Sequence, residues 1–317
     1  MKWRVLVTCP QLQQTIDRYR GLFAEHSIEV ELPHLVQQLR ESELLGIIDQ
    51  FDGVIAGDDE FTARVLEKGK RLKVIAKWGI GVDAIDLDAA KRLGIRVTNT
   101  PNVFADEVAD VVMGYVILLA RQLHKLDRSV RRRGWKKIQG ISLSDKMLGV
   151  IGVGSIGQAV VRRAIVAGMS VKGCDVAPIP NSFVKHTGLI VADIKELLET
   201  SDFISLNCNL TSANRHMIGA KEFALMKNGV YIINTARGAL IDEVALIQAL
   251  HEGKVAGAAL DVFEQEPLPW DSPLRKLANC IFGTHNSSNT AEAVARVNEL
   301  AIRNLLEGLE TRISWPK

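Results

Sequence analysis

Short, uninterrupted apolar runs alternate with helical patterns along the whole chain. Residues 3–7, 53–56, 73–76 and 95–98 predict strands in the first third, and 147–151, 171–174, 203–206, 230–234, 256–260 and 280–282 predict strands later. Apolar strands without polar alternation are buried on both faces, which predicts parallel sheets covered by helices on each side. Strand–helix alternation from end to end is the α/β signature. With 317 residues there is enough chain for two doubly wound parallel-sheet domains. Between the two sets of strands lies a helical stretch, 103–122, apolar on most sides through Val108, Val111, Val112, Met113, Val116, Ile117, Leu118 and Leu119. Such a helix is expected to be buried, between the domains or against another subunit. A polar arm, 131–137, follows it and carries Trp135. The final helix, 291–310, has no place in a completed second sheet and is expected to return to the first domain.

Composition narrows the classes. Hydrophobic residues at 47% and charged residues at 24% are ordinary for a globular protein. A net charge of +2 gives no reason to expect a nucleic-acid or membrane partner. Cys9, Cys174, Cys208 and Cys280 are scattered and form no Cys-x-x-Cys pair, so reduced thiols in a cytoplasmic protein are expected, and no metal site. The first apolar run is too short for a signal peptide. No stretch approaches the roughly 18 apolar residues of a membrane span.

Gly152-Val153-Gly154-Ser155-Ile156-Gly157 follows the strand 147–151 and opens a helix. The first glycine permits a tight turn, the second lets backbone approach a pyrophosphate, and the third lets helix and strand pack closely. Phosphates would then meet exposed N–H groups and the positive end of the helix dipole. Asp175 ends the next strand, 18 residues after Gly157, where a carboxylate accepts hydrogen bonds from the adenosine ribose. Asp175 would repel a 2′-phosphate, and Val176-Ala177-Pro178 offers no arginine to receive one, so NAD is expected rather than NADP.

Three further residues lie just past predicted strands in the last third: Arg237 in Asn-Thr-Ala-Arg-Gly, Glu266 in Gln-Glu-Pro, and His285 in Gly-Thr-His-Asn. Residues beyond the carboxyl ends of parallel strands face the ligand crevice. A guanidinium, a carboxylate and an imidazole delivered there suit proton transfer beside an anionic substrate.

With these residues in order, nearly the whole chain resembles the D-isomer-specific 2-hydroxyacid dehydrogenases, which include phosphoglycerate dehydrogenases and glyoxylate/hydroxypyruvate reductases. The resemblance rests on Lys77-Trp78-Gly79-Ile80-Gly81-Val82-Asp83-Ala84-Ile85-Asp86, Asn99-Thr100-Pro101, the glycine fingerprint, the residues 234–238, Ala258-Ala259-Leu260-Asp261-Val262-Phe263, Glu266-Pro267 and His285. It implies a flavodoxin-like substrate domain from residues 1–98 and 287–317, with a Rossmann NAD-binding domain, 99–286, inserted into it. It also implies a homodimer formed through the nucleotide domain, and no appended regulatory domain.

The implied reaction moves a hydride between C2 of a D-2-hydroxy acid and nicotinamide. His285 is then the acid/base and Glu266 its orienting partner, while Arg237 binds the substrate carboxylate and carbonyl. The substrate loop is Lys77, Gly79, Ile80 and Gly81. Cofactor neighbours are Ser155, Ile156, Cys208, Thr235 and Ala236, with Asp261 accepting from the nicotinamide amide. Trp135 either anchors an interface or reaches the partner's site. The chain departs from the usual pattern at Lys77, where arginine is common. It departs again at Asn207-Cys208-Asn209, at Asn102, and at Asn286-Ser287-Ser288, so the acid is left open. Two rivals are an idle NAD(H)-sensing, corepressor-like protein and an enzyme of related fold acting on formate or phosphite.

Overall fold

The computed structural model describes residues 2–310. The chain divides into two compact units, one from 1–103 and 289–317, the other from 104–288.

The first unit carries five parallel strands: β1 (Trp3–Val7), β2 (Ile28–Glu31), β3 (Gly53–Ala56), β4 (Val74–Lys77) and β5 (Arg96–Thr98). Their order, β2-β1-β3-β4-β5, is the flavodoxin-like one. Every residue of β3 and β4 is buried, as apolar runs without alternation require. Leu6, Val54 and Ile75 pack with Leu44, Phe51, Phe61 and Leu66 on one face. The helix Ala291–Glu310 covers the other face. It lies so close that a Cβ on Gly308 would sit 2.4 Å from Val74, and one on Gly53 would sit 2.8 Å from Leu305.

The second unit carries seven parallel strands: β6 (Met147–Ile151), β7 (Ser170–Cys174), β8 (Ile190–Val191), β9 (Phe203–Leu206), β10 (Val230–Asn234), β11 (Val255–Leu260) and β12 (Cys280–Phe282). The order β12-β11-β10-β9-β6-β7-β8 is that of a Rossmann sheet extended by one strand, and the direction of progression reverses between β6 and β9. Leu148, Val150, Phe203 and Ile233 pack with Val112, Val116 and Val160 on one face. Ile151, Ile204, Ile232 and Leu260 pack with Leu197, Phe223, Leu246 and Leu274 on the other.

Several elements differ from the sequence reading. Neither β2 nor β8 was foreseen. Both are edge strands: β2 alternates buried Ile28 with exposed Glu29, and β8 is two exposed residues long. The helix expected over 103–122 runs Ala105–Arg121 and stops because Gln122 takes a left-handed φ of 52°. A second helix, Leu123–Arg131, takes up the start of the expected arm. The unit boundary falls after Val103 because Asn99 and Thr100 are bonded to Ile80 and Gly79 of the first unit. It falls after Ser288 because Ser287 is held by Asp261 of the second. Among the described residues no helix is long and apolar enough to cross a membrane.

Candidate active site

The glycine loop leaves β6 at the point where the strand order reverses. Gly152 has φ of +90° and donates its N–H to the Cys174 carbonyl at 2.9 Å. A Cβ there would lie 2.7 Å from the Cys208 nitrogen, so no other residue fits between β6 and the turn after β9. Gly157 faces Gly152 O, which its Cβ would meet at 2.0 Å, and this lets the helix Ser155–Val166 start directly against the strand. Gly154 and Ser155 are exposed at that helix's N-terminus and a Cβ on Gly154 would meet open space, while Ile156 is half-buried. Asp175 follows β7. Its Oδ2 accepts the Val153 N–H at 2.6 Å and its Oδ1 the Ala177 N–H at 2.9 Å. The carboxylate thus braces the loop while each oxygen keeps a lone pair for a ribose hydroxyl.

Past β10, the buried Asn234 shapes the next turn: its Oδ1 accepts the Ala236 N–H at 3.0 Å and its Nδ2 donates to the Arg237 carbonyl at 2.9 Å. The buried Oγ1 of Thr235 has no hydrogen-bond partner among the described residues. An orphaned hydroxyl at the same carboxyl edge of the sheet as the glycine loop fits a polar ligand such as a dinucleotide. Cys208 is half-buried, with its Sγ 4.0 Å from Met217 Sδ, and burial pushes its thiol up to about 11. It is therefore a neutral lining group at neutral pH.

Arg237 is half-buried, and its Nη1 donates to the Ala236 carbonyl at 2.9 Å. Glu266 bridges two segments. Its Oε1 accepts the Phe263 N–H at 3.0 Å and its Oε2 lies 2.7 Å from His285 Nδ1. A carboxylate at Nδ1 holds the proton on that nitrogen, so Nε2 is the atom that can take or give one. His285 itself sits at φ +53°, a left-handed conformation that histidine adopts more readily than most residues, and donates its backbone N–H to Asp261 O at 2.7 Å. The buried Asp261 carboxylate then grips the next two residues. Its Oδ2 accepts from Asn286 N–H at 2.9 Å, Ser287 N–H at 2.8 Å and the Ser287 hydroxyl. Asp261 was expected to serve the cofactor; it is also the clamp of the histidine loop. The sequence reading missed Asn234 and Ser287 as positioning groups, although both stand in segments it singled out.

The loop after β4 belongs to the first unit. Gly79, at φ +123°, donates its N–H to Thr100 Oγ1 at 2.9 Å, which narrows the backbone donors of this loop to Ile80 and Gly81. Trp78 Nε1 donates to Asn298 Oδ1 at 2.7 Å. The buried Lys77 donates to the Trp78 carbonyl at 2.9 Å and pairs with Asp58 at 3.1 Å. Trp135, in the second unit, is 84% exposed.

The fold and the glycine loop define a class: an α/β protein with a Rossmann unit suited to a dinucleotide. The family model described as "D-isomer specific 2-hydroxyacid dehydrogenase, NAD binding domain" matches residues 113–287. The chain is 43% identical over 294 residues to a D-3-phosphoglycerate dehydrogenase of Methanocaldococcus jannaschii, covering 92% of this chain and 54% of that one. It thus spans about half the length of that relative. It is 41% identical to a hydroxypyruvate reductase of Thermotoga maritima, covering 88% of this chain and 92% of that one. A crystal structure of D-lactate dehydrogenase from Aquifex aeolicus, complexed with NAD and lactic acid, superposes with a TM-score of 0.85 at 29% identity, covering 95% of this chain and 93% of that one. The chain belongs to the D-isomer specific 2-hydroxyacid dehydrogenase family.

Proposed function

We propose that this chain interconverts a 2-keto acid and its D-2-hydroxy acid, with His285 as acid/base, Glu266 as its orienting partner and Arg237 as the carboxylate-binding residue. The observation that carries the reading is the 2.7 Å contact between His285 Nδ1 and Glu266 Oε2. In reduction, NADH held by the second unit would supply the hydride that C2 of the keto acid takes up. The His285 imidazolium gives its Nε2 proton to the developing alkoxide, so the hydroxyl forms without a free oxyanion. Glu266 stabilises the charged ring before the transfer. Arg237 offers a planar fork that matches a carboxylate and stays charged at any working pH. The N–H groups of Ile80 and Gly81 are the proposed backbone donors of the substrate loop.

For the cofactor, Gly152, Gly154 and Gly157 would leave room for the pyrophosphate, and Ser155 and Ile156 begin the helix whose N–H groups face it. Asp175 would take the ribose hydroxyls, with Cys208, Thr235 and Ala236 lining the site. A role for Asp261 toward the nicotinamide amide is part of this reading. Exposed Ile117, Leu123, Val130 and Trp135 follow one another along the helical region and arm, and support a homodimer formed through this unit. A cytoplasmic location is the compartment proposed for its four unpaired thiols.

The paired imidazole and carboxylate favour this enzyme over an idle NAD(H)-sensing protein. The test is NADH oxidation, followed by absorbance, with a panel of small 2-keto acids, repeated for His285→Ala and Arg237→Ala. Turnover by the parent and its loss in both variants is expected; unchanged turnover in the variants would remove the assigned roles.

A further inference from the structure

Glu266 belongs to the segment 263–266, which follows β11 and lies outside helix and strand. Its reach to His285 therefore depends on what holds that segment, and the holding groups come from two other loops of the same unit. The Glu264 N–H donates to Glu243 Oε1 at 2.7 Å, and Glu264 Oε1 accepts the Glu243 N–H at 3.0 Å, so two residues 21 positions apart exchange both bonds. His216 Nε2 lies 3.1 Å from the same Glu264 oxygen, and Arg215 Nη2 lies 3.9 Å from the other. Glu243 opens the helix Glu243–His251, whose Val244 and Ala245 N–H groups are taken by Asp242 Oδ1. The Glu264 carboxylate thus meets the positive end of that helix along with a guanidinium and an imidazole. The loop carrying His216 is fixed in turn: its N–H donates to Ala239 O at 2.8 Å and the Ile218 N–H to Leu240 O at 3.1 Å, both in the run after Arg237. Burial raises the Glu243 carboxyl, the Glu264 N–H opposes that, and the Glu264 and Glu266 carboxylates push it further up. A tie made for strength alone would use neutral groups; three carboxyls gathered within electrostatic reach of one another are an arrangement that marks functional sites.

We propose that Glu243 is a positioning residue for the acid/base: by exchanging bonds with Glu264 it holds the segment 263–266 in the register that brings Glu266 to His285 Nδ1. Its effect on rate rests on the dehydrogenase reading above, whereas the placement of Glu266 against the ring does not. Nothing in this role requires Glu243 to touch substrate or cofactor. Its loss to alanine leaves the Glu264 N–H without that acceptor and lets the segment shift. A Glu266 that meets the ring less often supports the ring's charged form less. Glutamine keeps an oxygen for the Glu264 N–H and gives up only the charge, so it separates the bond from the field.

The test is a pH titration of the His285 ring by NMR, its signals assigned by their absence in His285→Ala, together with the pH profile of NADH oxidation by the full chain with the panel of 2-keto acids. Glu243→Ala should lower the pH at which the His285 ring titrates by about half a unit to one unit. Reduction, which needs the charged ring, should then lose rate at a correspondingly lower pH. At neutral pH kcat should fall by roughly 10- to 100-fold, with the NADH dissociation constant changed less than about threefold. Glu243→Gln should return most of the titration shift and most of the rate. Glu243→Ala titrating like the parent overturns the inference. So does Glu243→Gln matching Glu243→Ala, which would assign the effect to charge alone. Should Glu243→Ala not fold, Glu264→Ala and Glu264→Gln, at a side chain 27% exposed, read the other end of the same exchange with the same expectations. A parent that turns over none of the acids overturns the dehydrogenase reading, and the NMR titration still decides the placement of Glu266.

Discussion

The backbone of Gly238 lies directly against that of Phe263: a Cβ on Gly238 would sit 1.9 Å from the Phe263 carbonyl carbon and 2.4 Å from the Glu264 nitrogen. Gly238 follows Arg237, and the Phe263 N–H is held by Glu266. The contact therefore joins the arginine turn to the segment that carries the histidine's partner. Any side chain at 238 must push backbone away from backbone, which has no soft solution. Gly238→Ala should cost about 3 kcal/mol or more in urea unfolding and abolish turnover. A variant with the parent's midpoint would show that the two segments are not locked together here.

Glu266→Gln keeps a carbonyl oxygen for the Phe263 N–H but replaces the charge facing His285. The folded structure should survive, with a melting temperature close to the parent's, while kcat/KM for the preferred keto acid falls by about 100-fold. His285→Ala should fall by roughly 100- to 10,000-fold. Rates in Glu266→Gln near those of the parent would detach the carboxylate from the reaction.

Asp261→Ala separates two readings of one carboxylate. Removing it strands the Asn286 and Ser287 N–H groups and the Ser287 hydroxyl, at about 1–3 kcal/mol for a buried unsatisfied group. It also frees His285 to relax from its left-handed backbone. If the clamp is its main task, kcat drops while the NADH dissociation constant, read by fluorescence titration, changes less than about threefold. A tenfold or greater loss of NADH affinity with kcat retained would instead assign it to the cofactor.

Asp59 gives the fold a pH dependence. It is fully buried, accepts the Leu39 N–H at 2.8 Å and the Thr8 hydroxyl, and burial pushes its carboxyl up to about 6 despite those bonds. A carboxyl that holds its proton more tightly when folded than when unfolded destabilises the fold once ionised. The cost is fully present above pH 6 and is relieved as pH falls through 6 toward the unfolded value near 4. Asn at this position can accept from Leu39 and donate to Thr8 Oγ1, whose hydroxyl can turn to the Ile55 carbonyl. Asp59→Asn should therefore be more stable than the parent at pH 8, by on the order of 2 kcal/mol, and the advantage should vanish near pH 4. Urea midpoints at both values check it; an advantage of the same size at both would exclude the ionisation.

The interior strands were legible because they are buried on both faces and leave unbroken apolar runs, as in Phe203–Leu206 and Val230–Asn234. The edges were not, because Ile28–Glu31 alternates like a surface segment and Ile190–Val191 is too short to stand out. At the site, the glycine loop, Arg237, Glu266 and His285 could be found because each follows a strand end, and topology sends strand ends to one edge. The pairings that tune them were hidden. Lys77 meets Asp58 from the neighbouring strand, and Asp261 reaches residues 25 and 26 positions later. Nothing local in the chain announces such contacts; they are set by the register between strands and by loops returning to the same edge. The break at Gln122 was hidden for a related reason, since a left-handed φ on a glutamine leaves no mark in hydrophobic spacing.

The bond from Trp78 to Asn298 spans 220 residues, and the helix that carries Asn298 is also the cover for β3 and β4. On the ribosome the first five strands emerge with the side of β3 and β4 that this helix covers still bare. The segment 104–288, a compact unit with its own sheet, is free to close while the opening strands wait. The helix Ala291–Glu310 thus completes a sheet made long before it, so a nascent chain cut short before residue 291 carries a naked, sticky surface however well the segment 104–288 has folded.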